Sequence, residues 1–238
     1  MRRETNGAGM TTARQHGTPG EWAKVRGTVF SLWPLFLCFV ALGAFGAAAV
    51  LGRHVLTFSS LFMASVVATA LFWRKGIRRV ESFFKGARGE ERVAALLAEL
   101  PGEYHVFHDF AAGGFHVDHV VVGPSGVFSV ETKCWNGKVT AEDGELIANG
   151  RLPDRSPLVQ SQRESSAVKA ALKRAGWDGD VTPVVCFASD TYAGADSRIG
   201  AVTVLNAGEA KGWLASQPAM LPSSEVERLA QLMDTCVG

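Results

Sequence analysis

The chain predicts an α/β fold: a mixed sheet flanked by helices and preceded by a two-helix transmembrane hairpin. Three observations predict it. Beyond residue 85, short runs rich in Val and Phe alternate with segments whose apolar residues recur every three to four positions, so strands and amphipathic helices interleave. A Gly123-Pro124-Ser125-Gly126 turn joins two of the Val/Phe runs directly. The mean hydropathy of +0.11 is carried by two apolar stretches near the start. Residues 32–52 hold no charged residue over 21 positions, and residues 55–73 hold none over 19.

Residues 1–30 are polar, lack periodicity and are expected to be mostly disordered. Residues 31–73 form the hairpin, with spans 32–52 and 55–73. Each is near the roughly 20 residues that cross a bilayer as a helix. A buried hairpin of a soluble protein is the alternative, but neither run has a polar face. A cleaved leader fits poorly, because a long polar segment precedes the first run and a second run follows at once. Arg2, Arg3, Arg14, Lys24 and Arg26 precede the spans and Arg74, Lys75, Arg78 and Arg79 follow them, with only Arg53 between. This places both termini in the cytoplasm and the protein in the cell membrane, with the lipid bilayer as a partner. No ionisable residue lies inside either span, which leaves a proton relay or transport role without support. Residues 74–84 are a basic juxtamembrane linker suited to anionic lipid.

Residues 85–216 form a domain, and 217–238 a C-terminal helix packed on it. A helix over 89–100 carries the stripe Val93, Leu96, Leu97 and Leu100, and Pro101-Gly102 ends it. Glu90 and Glu91 fall in its first turn, where the helix dipole alone accounts for acidic residues. Strands are expected over 104–109, 115–122 and 127–133, with a short hairpin over 138–140 and 145–148. A second helix covers 160–175, with Val168, Ala171 and Leu172 inward. Strands over 181–187 and 201–205 follow, then a helix over 207–216 capped by Asn206 and a last helix over 224–235.

The central turn fixes a register. If Val122 pairs with Val127, Asp118 lies opposite Glu131, and Lys133 shares their face, opposite His116. Like charges so close are destabilising unless compensated. A divalent cation with the nearby ammonium would compensate; a solvated outer face of a two-stranded ribbon is the plainer account. Net charge is +1 for the chain, but the part after residue 73 is slightly acidic, which argues against strong, indiscriminate nucleic-acid binding. Cys38, Cys134, Cys186 and Cys236 show no CxxC spacing, as suits a reducing compartment. His105, His108, His116 and His119 lie close in sequence but lack a zinc-type spacing.

Gly86-x-x-Gly89-Glu90, Asp118-His119-Val120-Val121-Val122-Gly123-Pro124-x-Gly126-Val127-Phe128, Glu131-Thr132-Lys133 and Pro157-x-x-Gln160 together resemble the nuclease-related domain (NERD) family, placed within the PD-(D/E)xK nuclease superfamily. The resemblance runs over roughly residues 85–214, and membrane-anchored members are common. It implies a restriction-endonuclease-like sheet and a Mg²⁺-dependent (or Mn²⁺-dependent) nuclease that hydrolyses phosphodiester bonds of DNA. It implies that Asp118 and Glu131 bind the metal, that Glu90 supplies a further metal-binding acid, that Lys133 orients or activates the attacking water, and that Gln160 is the polar residue of the following helix. Val117 departs from the Pro in the superfamily's name. A non-catalytic module of the same fold, binding nucleic acid or protein at the membrane, is the alternative.

Overall fold

The computed structural model describes residues 12–52, 54–195 and 197–236. The chain divides into two compact units, one comprising residues up to Glu21 together with Gly86–Gly238, the other Trp22–Lys85.

In the second unit, α1 (Glu21–Leu51) folds back against the first part of α2 (Val55–Leu97). Phe30 meets Phe72 and Phe45 meets Phe62, with centroids 4.9 and 6.1 Å apart. Between these ring pairs the Cys38 thiol lies 3.0 Å from the Thr69 hydroxyl. Thr69 also donates to the Pro34 carbonyl, at 3.3 Å, tying the two helices together. Glu21–Leu51 and Val55–Arg74 are both long and apolar enough to cross a membrane, and almost nothing along them is buried.

The first unit is built on a mixed seven-stranded sheet, ordered β1 (Arg14–His16), β2 (His105–Ala112), β3 (Phe115–Gly123), β4 (Gly126–Lys133), β7 (Val181–Phe187), β9 (Val202–Asn206) and β8 (Arg198–Ile199). The strands β2–β3–β4 run antiparallel, and β4, β7 and β9 run parallel. A separate hairpin, β5 (Val139–Glu142) with β6 (Glu145–Ala148), follows β4. Then α3 (Pro157–Arg174) carries the chain back to β7, as a parallel pair requires. One sheet face packs Val106, Val121 and Val184 against Val93 and Leu97 of α2 and Leu214 of α4 (Ala207–Ser216). The other packs Val120, Val122 and Val127 against Val168 and Leu172 of α3 and Leu229 and Met233 of α5 (Ser223–Cys236). Covered on both faces, β4 is buried at every position but its first and last. Its buried positions are apolar except at Ser129, Glu131 and Thr132.

Three expectations need correction. Residues 12–30 are ordered: Arg14–His16 adds a parallel strand beside β2, and the helix begins at Glu21. The expectation for residues 1–11 falls outside the described residues. The helix holding Glu90 does not start at residue 89; it is the end of α2, so Glu90 sits in a helix interior and the dipole of a first turn does not explain it. The first long strand runs to Ala112 rather than residue 109, because the Gly113-Gly114 turn continues it directly into β3.

Candidate functional site

The site forms at the carboxyl end of β4. The turn register matches the spacing argument, with Val122 paired to Val127 and successive pairs as far as His119 and Val130. There the ladder stops. Beyond it the Thr132 amide donates to Asp118 Oδ2 at 2.7 Å. Asp118 and Glu131 thus lie one step beyond the last β3–β4 pair, Asp118 inside β3 and Glu131 still paired with Val185 of β7. His116 does not join Lys133; it pairs with Ala111 on β2, with its imidazole 3.6 Å from Asp109.

The other edge of β3 is distorted at the same level. The β2–β3 ladder pairs His108 with His119 and Phe110 with Val117 but omits the step between, at Asp109 and Asp118. Asp109 has φ +53°, in the left-handed region costly for a residue with a side chain. Such strain concentrates at functional sites.

Helix α2 contributes Glu90 through a close crossing. A Cβ on Gly89 would lie 3.0 Å from the Cys134 Cβ and 3.3 Å from the Ala188 Cβ. Only glycine lets the helix approach the ends of β4 and β7, and Glu90 is the next residue. Its carboxylate accepts a hydrogen bond from the Gly20 amide.

Helix α3 contributes Gln160 and, one turn later, Glu164. Gln160 Nε2 donates to Glu131 Oε1 at 2.7 Å and to Glu164 Oε1 at 2.8 Å. Gln160 Oε1 accepts from Lys133 Nζ at 2.9 Å, and Lys133 also donates to Glu131 Oε1. Glu131, Lys133 and Gln160 therefore form a closed triangle. Glu131 is 4 % and Glu164 3 % exposed, and the two carboxyls are hydrogen-bonded to each other, with the proton supplied by Glu164.

The electrostatics are those of surplus negative charge. Burial, then Asp109 and Glu131, push the Glu90 carboxyl up to about 7. Burial, then Glu131 and Glu90, raise Asp118 well above the usual carboxylate range. Burial, then Glu131, push Glu164 up to about 9. Burial alone would lower the Lys133 ammonium, but the hydrogen-bonded Glu131, with Asp118 and Glu164, more than reverses this and raises it. Lys133 faces four acids, Glu90, Asp118, Glu131 and Glu164, so protons on Glu90, Asp118 and Glu164 are held more tightly than on free carboxyls.

The structure thus gathers all five residues singled out from the sequence, Glu90, Asp118, Glu131, Lys133 and Gln160, around one point. Sequence reasoning missed Glu164 and Asp109. Glu164 had a signal: it stands four residues after Gln160, on the same helix face. Asp109 needed the full extent of β2, which brings it opposite Asp118. Among the described residues no three His, Cys, Asp or Glu side chains are gathered closely enough to hold a metal ion as they stand.

Residues 85–188 match the family model of the nuclease-related domain, NERD. The match spans Glu90, Asp118, Glu131, Lys133, Gln160 and Glu164. No curated protein and no solved structure matches the chain.

Proposed function

With residues 85–188 as a nuclease-related module, we propose that the chain is a membrane-anchored, divalent-metal-dependent nuclease that hydrolyses phosphodiester bonds of DNA. The observation that carries the reading is the convergence of four carboxyls, Glu90, Asp118, Glu131 and Glu164, on a single ammonium, Lys133, with Glu131 and Glu164 buried against each other and held by Gln160. Buried carboxyls in surplus over cations repel one another when ionised, and a hard cation is the ligand they suit. Asp118, Glu131 and Glu90 would hold Mg²⁺ or Mn²⁺. When bound, the ion supplies polarisation of the phosphoryl group and a more acidic water. Lys133 keeps its charge at neutral pH, its ammonium being raised further, and is placed to orient a water or offset phosphate charge. Gln160 fixes the Glu131 carboxylate and the Lys133 ammonium in one orientation through its two amide atoms.

The apolar helices support a tether, and the flanking basic residues support cytoplasmic termini and a cytoplasmic nuclease-like domain. The test is cleavage of plasmid and oligonucleotide DNA by the full chain in detergent. Mg²⁺ or Mn²⁺ should be required, EDTA should stop it, and Glu131→Gln or Lys133→Met should abolish it. Metal-independent cleavage, or undiminished cleavage by either variant, refutes the reading.

One observation favours a second reading, a non-catalytic binding module of the same fold. No acidic trio is pre-gathered for a metal among the described residues, and both Lys133 and Gln160 already hold Glu131 Oε1. Calorimetric titration with Mn²⁺ separates the two: no binding that depends on Asp118 selects the module.

A further inference from the structure

Beside the acidic site, α3 presents a second surface. Phe115, at the start of β3, faces Val159, Gln162, Arg163, Ser166 and Ala167 across a groove of about 520 Å³. These helix residues form one stripe of α3. Gln160 and Glu164 belong to the adjoining stripe, each one residue beyond Val159 and Arg163 and so about 100° round the helix. On β3, Phe115 precedes Asp118 by three residues, about 10 Å along a strand. The groove therefore adjoins the acidic site on both elements that frame it.

Its chemistry is an exposed aromatic face with a free cation. Phe115 is 41 % and Val159 43 % exposed, in a unit whose other strands and helices cover their large apolar side chains almost completely. Nothing in the folding of the sheet requires a phenylalanine there, because the core on that face is closed by Val117, Val120 and Val168. Arg163 makes no ion pair among the described residues, whereas Lys169 and Lys173 further along α3 are paired with Asp180 and Asp178. Arg151 and Arg155, exposed and likewise without ion pairs, lie in the loop that leads into α3. An arginine without an ion pair among the described residues, beside an exposed aromatic ring, complements a polyanion that also offers a base.

We infer that this groove seats a single-stranded nucleic-acid segment next to the acidic site, with an unstacked base on the Phe115 ring and a flanking phosphate on Arg163. A base inside a duplex has both faces covered by its neighbours, so only a single strand or a frayed end offers a face to Phe115. The inference deepens the nuclease reading and rests on it, naming single-stranded DNA as the preferred substrate form.

The test is fluorescence anisotropy of labelled oligothymidylate, and of its duplex with oligoadenylate, titrated with the full chain in detergent and EDTA. The single strand is expected to bind more tightly than the duplex. Phe115→Ala should weaken single-strand binding about fivefold or more, the low end of base–aromatic stacking. Phe115→Trp should retain it. Arg163→Gln should reduce the slope of log affinity against log salt by about 0.7, one phosphate contact on a single strand. A merely structural role for Arg163 would leave that slope unchanged. Equal binding of both forms, or Phe115→Ala and Arg163→Gln proteins that bind and respond to salt as the parent does, overturns the inference. Glu131→Gln, measured alongside, separates the two ideas. A parent that cleaves DNA while its Phe115 and Arg163 variants bind normally sinks the groove alone. A parent that binds oligothymidylate through Phe115 but never cleaves sinks the nuclease reading alone.

Discussion

Replacing Glu90 with glutamine should make the metal-free protein more stable, and increasingly so as the pH rises. The folded state holds the Glu90 carboxyl at about 7, against 4.5 for the ordinary group, because it is buried beside Asp109 and Glu131. A raised acid binds its proton more tightly folded than unfolded. The favourable balance is complete below 4.5, is lost as pH rises toward 7, and is constant above that. At about 1.4 kcal/mol per unit, the 2.5 units between those values amount to about 3 kcal/mol. Roughly 2.5 kcal/mol of it falls between pH 5 and pH 8. Glutamine keeps the shape and carries no charge to repel. His105, His108 and His119 are held below their usual range by burial and drive stability the opposite way, but both proteins share them and they cancel in the comparison. The assay is amide hydrogen exchange of β3 and β4 in EDTA at the two pH values, corrected for intrinsic rates and read as opening free energies. Saturating Mn²⁺ should erase the advantage of the glutamine, since the cation supplies the charge that Glu90 lacks. If the two proteins show the same pH profile in EDTA, Glu90 is not held in a common field with Asp109 and Glu131, and the argument for surplus charge fails.

Three further predictions follow from the same geometry. Lys133→Met leaves Glu131 buried without its ammonium and should cost about 3–5 kcal/mol in EDTA, measured by the same exchange experiment; a cost under 1 kcal/mol would refute a buried ion pair between the two. Gly89→Ala pushes a methyl into Cys134 and Ala188 and should cost about 1–3 kcal/mol, whereas Gly86→Ala, with nothing within 4 Å, should gain about 0.5–1 kcal/mol; equal melting shifts for the pair would refute the close crossing. His108, which burial lowers to about 4, destabilises the fold as pH falls from 6.5 toward 4, and His108→Asn should remove about 3 kcal/mol of that acid sensitivity in a pH series of urea unfolding curves.

The sequence was most legible where one local rule set the geometry. Gly123-Pro124-Ser125-Gly126 determined its own register, with Gly126 at φ +124° closing the turn. The α4 helix has the bounds that its cap suggests, with the Asn206 amide donating to Glu209 Oε2 at 2.9 Å. Legibility failed where distant segments decide. Arg14–His16 has no strand pattern of its own; it is ordered by pairing with β2, by Arg14 on Glu227 at 2.8 Å and by His16 on Asp234 at 3.0 Å, contacts more than 200 residues apart in the chain. Glu90 read as a helix-start residue because the apolar periodicity restarts at Val93, whereas α2 continues unbroken through the basic stretch before it.

The acidic site shows why a motif and a site differ in extent. The motif residues Asp118, Glu131 and Lys133 follow from one hairpin, and hairpin logic alone yields two negative charges and one positive. Such a set is nearly balanced and asks for little. The surplus acids come from outside the hairpin: Glu90 by way of a glycine-mediated helix crossing, Asp109 by way of a strained strand, and Glu164 by way of α3. Each arrives from a different direction, so no sequence window contains them together. Burial, then Glu131 and Glu90, raises Asp118, and burial, then Glu131, raises Glu164. A site evolved only for internal pairing would have matched these acids with further cations, whereas Arg163, next to Glu164 in α3, makes no ion pair among the described residues. Keeping positive charge on the rim and negative charge in the centre is the arrangement that draws in a polyanion's phosphates while leaving the middle for a cation.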